Sequence, residues 1–307
     1  MCGIAGEIRF DGAAADTGRV QRMLDLMSAR GPDDDGLVAQ GAVALGHRRL
    51  AIVDLSERGA QPMRDQELGL TIVFNGCIYN HDELRRRLMG DGYHFFSRSD
   101  TEVILKAYHA WGERCVDEFR GMFAFCVREH DSGRLFLARD RQGIKPLYYT
   151  HDDGVFRFAS ALPALLRDGV TSKEIDPAAL HHYMSFHSVV PAPMTLLKAV
   201  RKVPPGCWLR IETDGTVQEQ RYWSLRFGRQ DGDPETEADW EEAVLEVMRR
   251  AVRRRLTGDV PVGVLLSGGL DSSLITGLLA REGVPHLNTF TVGFEDVGKE
   301  EGNDFRY

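Results

Sequence analysis

MCGIAGEIRF, Met1 to Phe10, reads as a strand from its first residue. Cys2, Ile4, Ile8 and Phe10 share one parity, with Glu7 and Arg9 on the other. Removal of the initiator Met, expected when a small residue follows it, exposes Cys2 as the N-terminus. One residue then carries both a thiol and an α-amine. Their reference pKa values are ~8.5 and ~7.7–8.0, so the amine can take the thiol proton near neutral pH without a separate histidine. The plainer alternative is a small buried residue on a first strand, because free Cys is often simply buried.

Outward from that strand, the composition is that of a soluble globular protein. The 307 residues suit about two domains, with 43% hydrophobic and 27% charged residues. A net charge of -8 without a basic run argues against nucleic-acid and anionic-membrane partners. No apolar stretch approaches the ~20 residues of a membrane span. Glu7, Arg9 and Asp11 stand where a secretory signal would be apolar. The five cysteines, Cys2, Cys77, Cys115, Cys126 and Cys207, are odd in number, scattered and without a CxxC pair. That pattern points to a reducing cytoplasm and away from disulfides or a zinc site.

Further along, a helix carries Val20, Met23, Leu24 and Met27 and ends at Arg30-Gly31-Pro32. Two apolar runs, GAVALG and LAIVDL, precede LGLTIVFNG, a buried strand running into a glycine turn. Two short helices follow, with Asn80/Glu83 and Ser99/Glu102 in capping-box spacing. GMFAFCVRE, GRLFLARD, KPLYYT and GVFRFAS read as antiparallel strands with short turns. A hairpin begins near Trp208, and GRQDGDPETEAD (228–239) reads as a linker. The expected organisation is therefore a first domain over 1–210, a hairpin and linker over 211–238, and a second domain over 239–307. In the second domain, a strand, a glycine turn, a helix and a strand form a βαβ unit, hence α/β. Two parallel strands are too few to bury such a sheet, so the chain reads as part of a longer protein.

Four positions before the linker could carry chemistry. Asn75 and Gly76, at a strand end, are the side-chain amide and backbone N–H that an oxyanion hole needs, or else a plain Asn-Gly turn. Arg49 is a fork for a carboxylate or a solvated arginine. Asp100 could hold an ammonium, or serve as an acid at a helix start. The sharpest signal is LLSGGLDSS (265–273), in which glycines after a buried strand let backbone approach a phosphate at a helix N-terminus. It has neither the Walker nor the GxGxxG form. Asp271 would repel that phosphate unless Mg²⁺ lay between them. The plain alternative is a tight strand–helix turn.

Cys2 followed by GIAG, then RGPD, HRRLAIVD, FNGCIYN, SDTEV, GMFAF, ARDRQGIKPLYY and VPVGVLLSGGLDSS, resemble the asparagine synthetase family of glutamine-dependent amidotransferases, in matching order over nearly the whole chain. The resemblance implies an N-terminal-nucleophile glutaminase domain, an α+β αββα sandwich. It also implies the start of an adenine nucleotide hydrolase-like α/β domain with a pyrophosphate loop. Carried over, Cys2 would form a glutamyl thioester, with Asn75 and Gly76 as oxyanion hole. Arg49 would hold the glutamine carboxylate and Asp100 its amino group. Backbone of Leu50, Ala51, Ile52 and Val53 would line the pocket. Ser267, Gly268, Gly269, Leu270, Asp271, Ser272 and Ser273 would grip the ATP pyrophosphate, with Asp271 on Mg²⁺. Leu266 and Val292 would contact adenosine. Ammonia would pass inside the protein to an acyl-adenylate, giving an amide, AMP and pyrophosphate.

The sequence departs from the pattern at Cys77, where these synthetases usually carry glutamate. A neutral thiol cannot balance an ammonium, which leaves Asp100 alone for that task. NGCIYN, SFHSVVPAP and GFEDVGKEEGNDF resemble the N-acetylglutaminylglutamine amidotransferase branch, which makes a neutral compatible solute. The acceptor expected is accordingly that dipeptide, with aspartate as the alternative. A stand-alone glutaminase and a non-catalytic binding module are the readings of other classes. A homodimer is one assembly compatible with the resemblance.

Overall fold

The computed structural model describes residues 1–152, 154–167, 169, 171–229, 232–284 and 287–293. The chain separates into two compact units, Met1–Leu225 and Arg226–Tyr307. In chain order the first contains β1 (Gly3–Arg9), α1 (Thr17–Asp25), β2 (Asp34–Gln40), β3 (Val43–Arg49), β4 (Met63–Asp65), β5 (Leu70–Ile78), α2 (His81–Gly90), α3 (Asp100–Trp111) and α4 (Cys115–Glu118). It continues with β6 (Gly121–Glu129), β7 (Leu135–Arg139), β8 (Tyr148–Asp152), β9 (Val155–Ala159), α5 (Leu162–Leu165), α6 (Pro177–Ser185), β10 (Arg201–Lys202), β11 (Cys207–Ile211) and β12 (Val217–Arg221).

The strands form two antiparallel six-stranded sheets, ordered β10-β8-β9-β1-β3-β2 and β12-β11-β7-β6-β5-β4. Strand periodicity builds the layers. Ile4 and Ile8 of β1 join Val73 of β5 and Ala124 and Cys126 of β6 in a core between the sheets. On the other face of β1, Ala5 packs with Val20, Met23 and Leu24 of α1. Ile72 and Phe74 flank Val73 in sequence and face away from it, packing with Val103, Ile104 and Ala107 of α3. The result is helix, sheet, sheet, helix: the expected αββα sandwich. The hairpin set apart with the linker by sequence is β11–β12, and β12 is the edge strand of the second sheet.

Local expectations met competing bonds in three places. Asn80 stands at the start of α2 without capping it, because its amide bonds Glu118 O and Arg120 N. Ser99 does cap α3, accepting from Thr101 N. Glu102 instead reaches back to Phe96 and Ser97, which leaves that capping box half made. LAIVDL is not a strand. Asp54 adopts φ 54° and its carboxylate binds Ser56 and Arg98 N, folding the run into a loop.

Glu7, on the polar parity of β1, is fully buried. Its carboxylate accepts from Arg157 Nε at 2.8 Å and Asp16 N at 2.9 Å, with Arg19 Nη1 at 3.4 Å. Removing one member of a buried pair leaves an uncompensated charge. Glu7→Ala is expected to cost about 3 kcal/mol, read as a lowered urea midpoint at unchanged slope.

The second unit holds α7 (Glu237–Arg254), β13 (Gly263–Leu265), α8 (Leu270–Arg281) and β14 (Asn288–Phe290), with β13 and β14 parallel. Thr236 and Asp239 form a complete capping box on α7. A small core joins Val252, Val264, Leu278 and Leu279. Leu265 and Phe290 on the two strands remain largely exposed. No helix among the described residues is long and apolar enough to cross a membrane.

Candidate active site

One cavity of about 290 Å³ collects most of the residues singled out in the first unit: Cys2, Arg49, Leu50, Ile52, Val53, Asn75, Gly76, Cys77 and Asp100. Ala51 does not line it; its N–H is turned to Asp33 Oδ2 at 2.9 Å. Cys2 sits where β1 begins and is the one cysteine of the five that is not buried. Leu50 N donates to its sulfur at 3.3 Å. Burial and Asp100 push the Cys2 thiol pKa up, and the Leu50 N–H, the amine of Met1, which still precedes Cys2 here, and Lys145 pull it down.

Asn75 and Gly76 lie on β5 opposite Ala124 and Phe123 of β6. Asn75 is 1% exposed, and its Nδ2 is a buried donor without a hydrogen-bond partner among the described residues. Such a donor costs about 1–3 kcal/mol, so its retention at a cavity wall marks a place where an acceptor is to be bound. Gly76 is dictated by space: a Cβ there would stand 2.2 Å from Met122 O.

The preceding residue is pinned from both sides. Phe74 N donates to Gln61 Oε1 at 2.6 Å, and Phe74 O lies 3.1 Å from His47 Nε2. Burial lowers the His47 pKa to about 3, so the ring is neutral, and the Nε2–H tautomer is the one that can donate to that carbonyl. Gln61 Nε2 also donates to Thr101 Oγ1 at 3.3 Å, tying β5 to the start of α3.

Asp100 opens α3 and is buried, with Oδ2 accepting from Ile78 N at 2.9 Å. Burial raises its pKa, opposed by that N–H and by His81. Arg49, at the end of β3, donates to Ser56 O at 3.1 Å and to Asp54 O, which orients the guanidinium on the folded loop. Cys77 is buried and its thiol is pushed up to about 12, chiefly by desolvation and then by Asp100, so it is neutral at working pH. Gln61, Thr101, Met122 and Lys145 also line the cavity and were given no role by sequence. Lys145 lies within the quoted ARDRQGIKPLYY; Gln61 carries no local signal.

In the second unit, Gly268 has φ 74° and Gly269 precedes α8 without capping it by a side chain. The first N–H groups of α8 therefore face outward beside Ser267, Ser272 and Ser273, a donor set suited to phosphate oxygens. Ser267 and Ser272 hydroxyls lie 3.2 Å apart, and Ser272 Oγ donates to Gly269 O at 3.1 Å. Leu270 is exposed at the first helical position, followed by Asp271 in the first turn. Leu266 N donates to Phe290 O and Leu266 O accepts from Thr291 Oγ1, so only its carbonyl keeps bonding capacity. Val292 is exposed. No group of three or more His, Cys, Asp or Glu among the described residues could hold a metal. Asp271 fits Mg²⁺ only in the manner of one carboxylate completed by phosphate oxygens.

Residues 1–223 match the glutamine amidotransferase domain, and residues 243–307 match asparagine synthase. The chain belongs to the asparagine synthetase family of glutamine amidotransferases. It is 40% identical over 305 residues to asparagine synthetase [glutamine-hydrolyzing] 1 of Bacillus subtilis (strain 168), covering 98% of this chain and 47% of that protein. It is 36% identical over 307 residues to asparagine synthetase [glutamine-hydrolyzing] 3 of the same organism, covering 97% and 49%. The chain thus spans about half the length of these curated relatives. A solved glutamine phosphoribosylpyrophosphate amidotransferase from B. subtilis, complexed with ADP and GMP, shares the fold: TM-score 0.53, 18% identity, 97% of this chain and 68% of that one.

Proposed function

We propose that the first unit hydrolyses glutamine at Cys2 and that the complete protein passes the ammonia to a carboxylate activated with ATP, forming an amide. The observation that carries this reading is the buried, unpaired Asn75 Nδ2 on the wall of the cavity that also holds Cys2. With Met1 removed, the Cys2 amine takes the thiol proton and the sulfur attacks the glutamine carboxamide. The oxyanion forms against Asn75 Nδ2 and Gly76 N–H. The amine returns the proton to the leaving ammonia, and water then cleaves the glutamyl thioester. Arg49 holds the substrate carboxylate, with Leu50, Ile52 and Val53 beside it. Asp100 faces the substrate ammonium, whose charge favours ionised Asp100 against the cost of its burial. Neutral Cys77 adds space there and no charge.

In the second unit, the Ser267–Ser273 loop and the start of α8 hold the ATP pyrophosphate. Asp271 is the protein's ligand to Mg²⁺, which would screen phosphate charge. Leu266 O and Val292 border the adenosine.

The acceptor we assign is N-acetylglutaminylglutamine, whose amide is a neutral osmoprotectant. Cys77 and the SFHSVVPAP segment (185–193) support that branch; GFEDVGKEEGNDF (293–305) lies, after Gly293, outside the described residues. Aspartate is the second reading, favoured by the names of the relatives. The test supplies full-length protein with ATP, Mg²⁺ and glutamine and follows pyrophosphate release with either acceptor. Release with the dipeptide alone supports the assignment, and release with aspartate alone replaces it with asparagine synthesis. Glutamine turnover undiminished without ATP and without release on either acceptor would make this a glutaminase alone.

A further inference from the structure

The cavity wall contains a cation that the reaction as derived does not use. Lys145 is 4% exposed, yet it lines the cavity with Cys2, Asn75 and Gly76. Its backbone is fixed on both sides: Lys145 N donates to Asp140 Oδ2 at 2.9 Å, and Lys145 O accepts from Arg139 Nε at 2.8 Å. Its Nζ has no hydrogen-bond or ion-pair partner among the described residues. A buried ammonium is costly unless an opposite charge meets it.

The groups that act on Lys145 include Cys2 ahead of β1, Arg30 before β2, Asp140 after β7 and Cys77 on β5, and the Met1 amine adds a second cation beside it. The Asp140 carboxylate is already engaged by four backbone N–H groups, those of Phe123 on β6 and of Gln142, Ile144 and Lys145 in its own turn. Cys77 stays neutral and Arg30 is itself cationic. Cys2 is therefore the group whose chemistry creates a negative charge there, and its own field includes Lys145, Asp100 and the amine of the still-attached Met1.

We propose that Lys145 is the fixed counter-charge of the Cys2 sulfur, holding the thiolate during attack and when the thioester breaks. The inference rests on the reading of Cys2 as nucleophile. Lys145 transfers no group; the amine remains the base, and the Lys145 charge lowers the energy of the state in which that proton has left sulfur.

The test compares the full-length protein with Lys145→Met. Iodoacetamide alkylation of Cys2 is followed against pH on the N-terminal peptide, and glutamine hydrolysis is measured in parallel. The expected result is an alkylation midpoint raised by about one pH unit and kcat lowered at least about tenfold, with KM for glutamine within about threefold. Lys145→Arg restores the midpoint because it keeps the charge. If Lys145→Met does not fold, Lys145→Gln carries the same expectation. An unchanged midpoint in a folded variant overturns the proposal. So does a raised KM at unchanged kcat, which would make Lys145 a substrate-binding group. Alkylation needs no turnover, so a protein that alkylates as expected but never hydrolyses glutamine would defeat the glutaminase reading and leave the Lys145 pairing standing.

Discussion

Cys2→Ala is expected to lower glutamine hydrolysis on the order of 10⁴-fold or more, while the full-length protein continues to make its amide from added ammonium. The size follows from the nature of the lost group. Without the sulfur there is no thioester, and the amine and oxyanion donors have no nucleophile to serve. The selectivity follows from the separation of roles: the Ser267–Ser273 loop proposed for ATP belongs to a compact unit other than the one containing Cys2. Cys2 contributes one N–H···S bond and a partly exposed side chain, so the thermal midpoint should hardly move. Equal loss of ammonium-dependent and glutamine-dependent synthesis would mean that the substitution had damaged more than the nucleophile.

Asn75→Ala should lower kcat for glutamine hydrolysis about 10²–10³-fold, the usual effect of deleting one oxyanion donor. Its effect on stability separates it from a structural substitution. The Nδ2 atom has no hydrogen-bond partner among the described residues, so removing it also removes an unsatisfied buried donor. The variant is expected to keep or exceed the parent's melting temperature while losing activity, an exchange typical of sites prepared for a charge not yet present. Destabilisation by more than about 2 kcal/mol together with retained kcat would reassign Asn75 to packing.

The parts of the site that were legible in sequence are those whose chemistry is local. Cys2 beside a terminal amine, an Asn-Gly pair after a buried apolar run, and glycines between a buried strand and a helix each carry their meaning within a few residues; the expected turn at Asn75-Gly76 is absent, because both stay paired with β6 inside β5, which runs on to Ile78. Strand alternation likewise gave both faces of β1 correctly, although it did not reveal that Glu7 is buried. That depends on Arg157, 150 residues away. Partners outside the local pattern also hid Gln61, which bonds Phe74 and Thr101 across 13 and 40 residues, and Lys145, whose neighbours include Cys2 ahead of β1, Cys77 on β5 and Asp140 after β7. Asn80 failed as a cap because the Glu118 carbonyl at the end of α4 and the Arg120 N–H just before β6 took its amide. LAIVDL showed only as an apolar run; Leu50, Ile52 and Val53 line the cavity from a loop turned by Asp54, which no local pattern announced.

The central claim is a covalent one, and trapping tests it directly. Full-length protein is mixed with glutamine, quenched in acid within the first turnovers, and its N-terminal peptide weighed. A free Cys2 N-terminus is expected, with a fraction of peptide carrying a glutamyl group on sulfur that hydroxylamine discharges to the glutamyl hydroxamate. Glutamine consumption at full rate with Met1 still attached and no acyl group on Cys2 would contradict it.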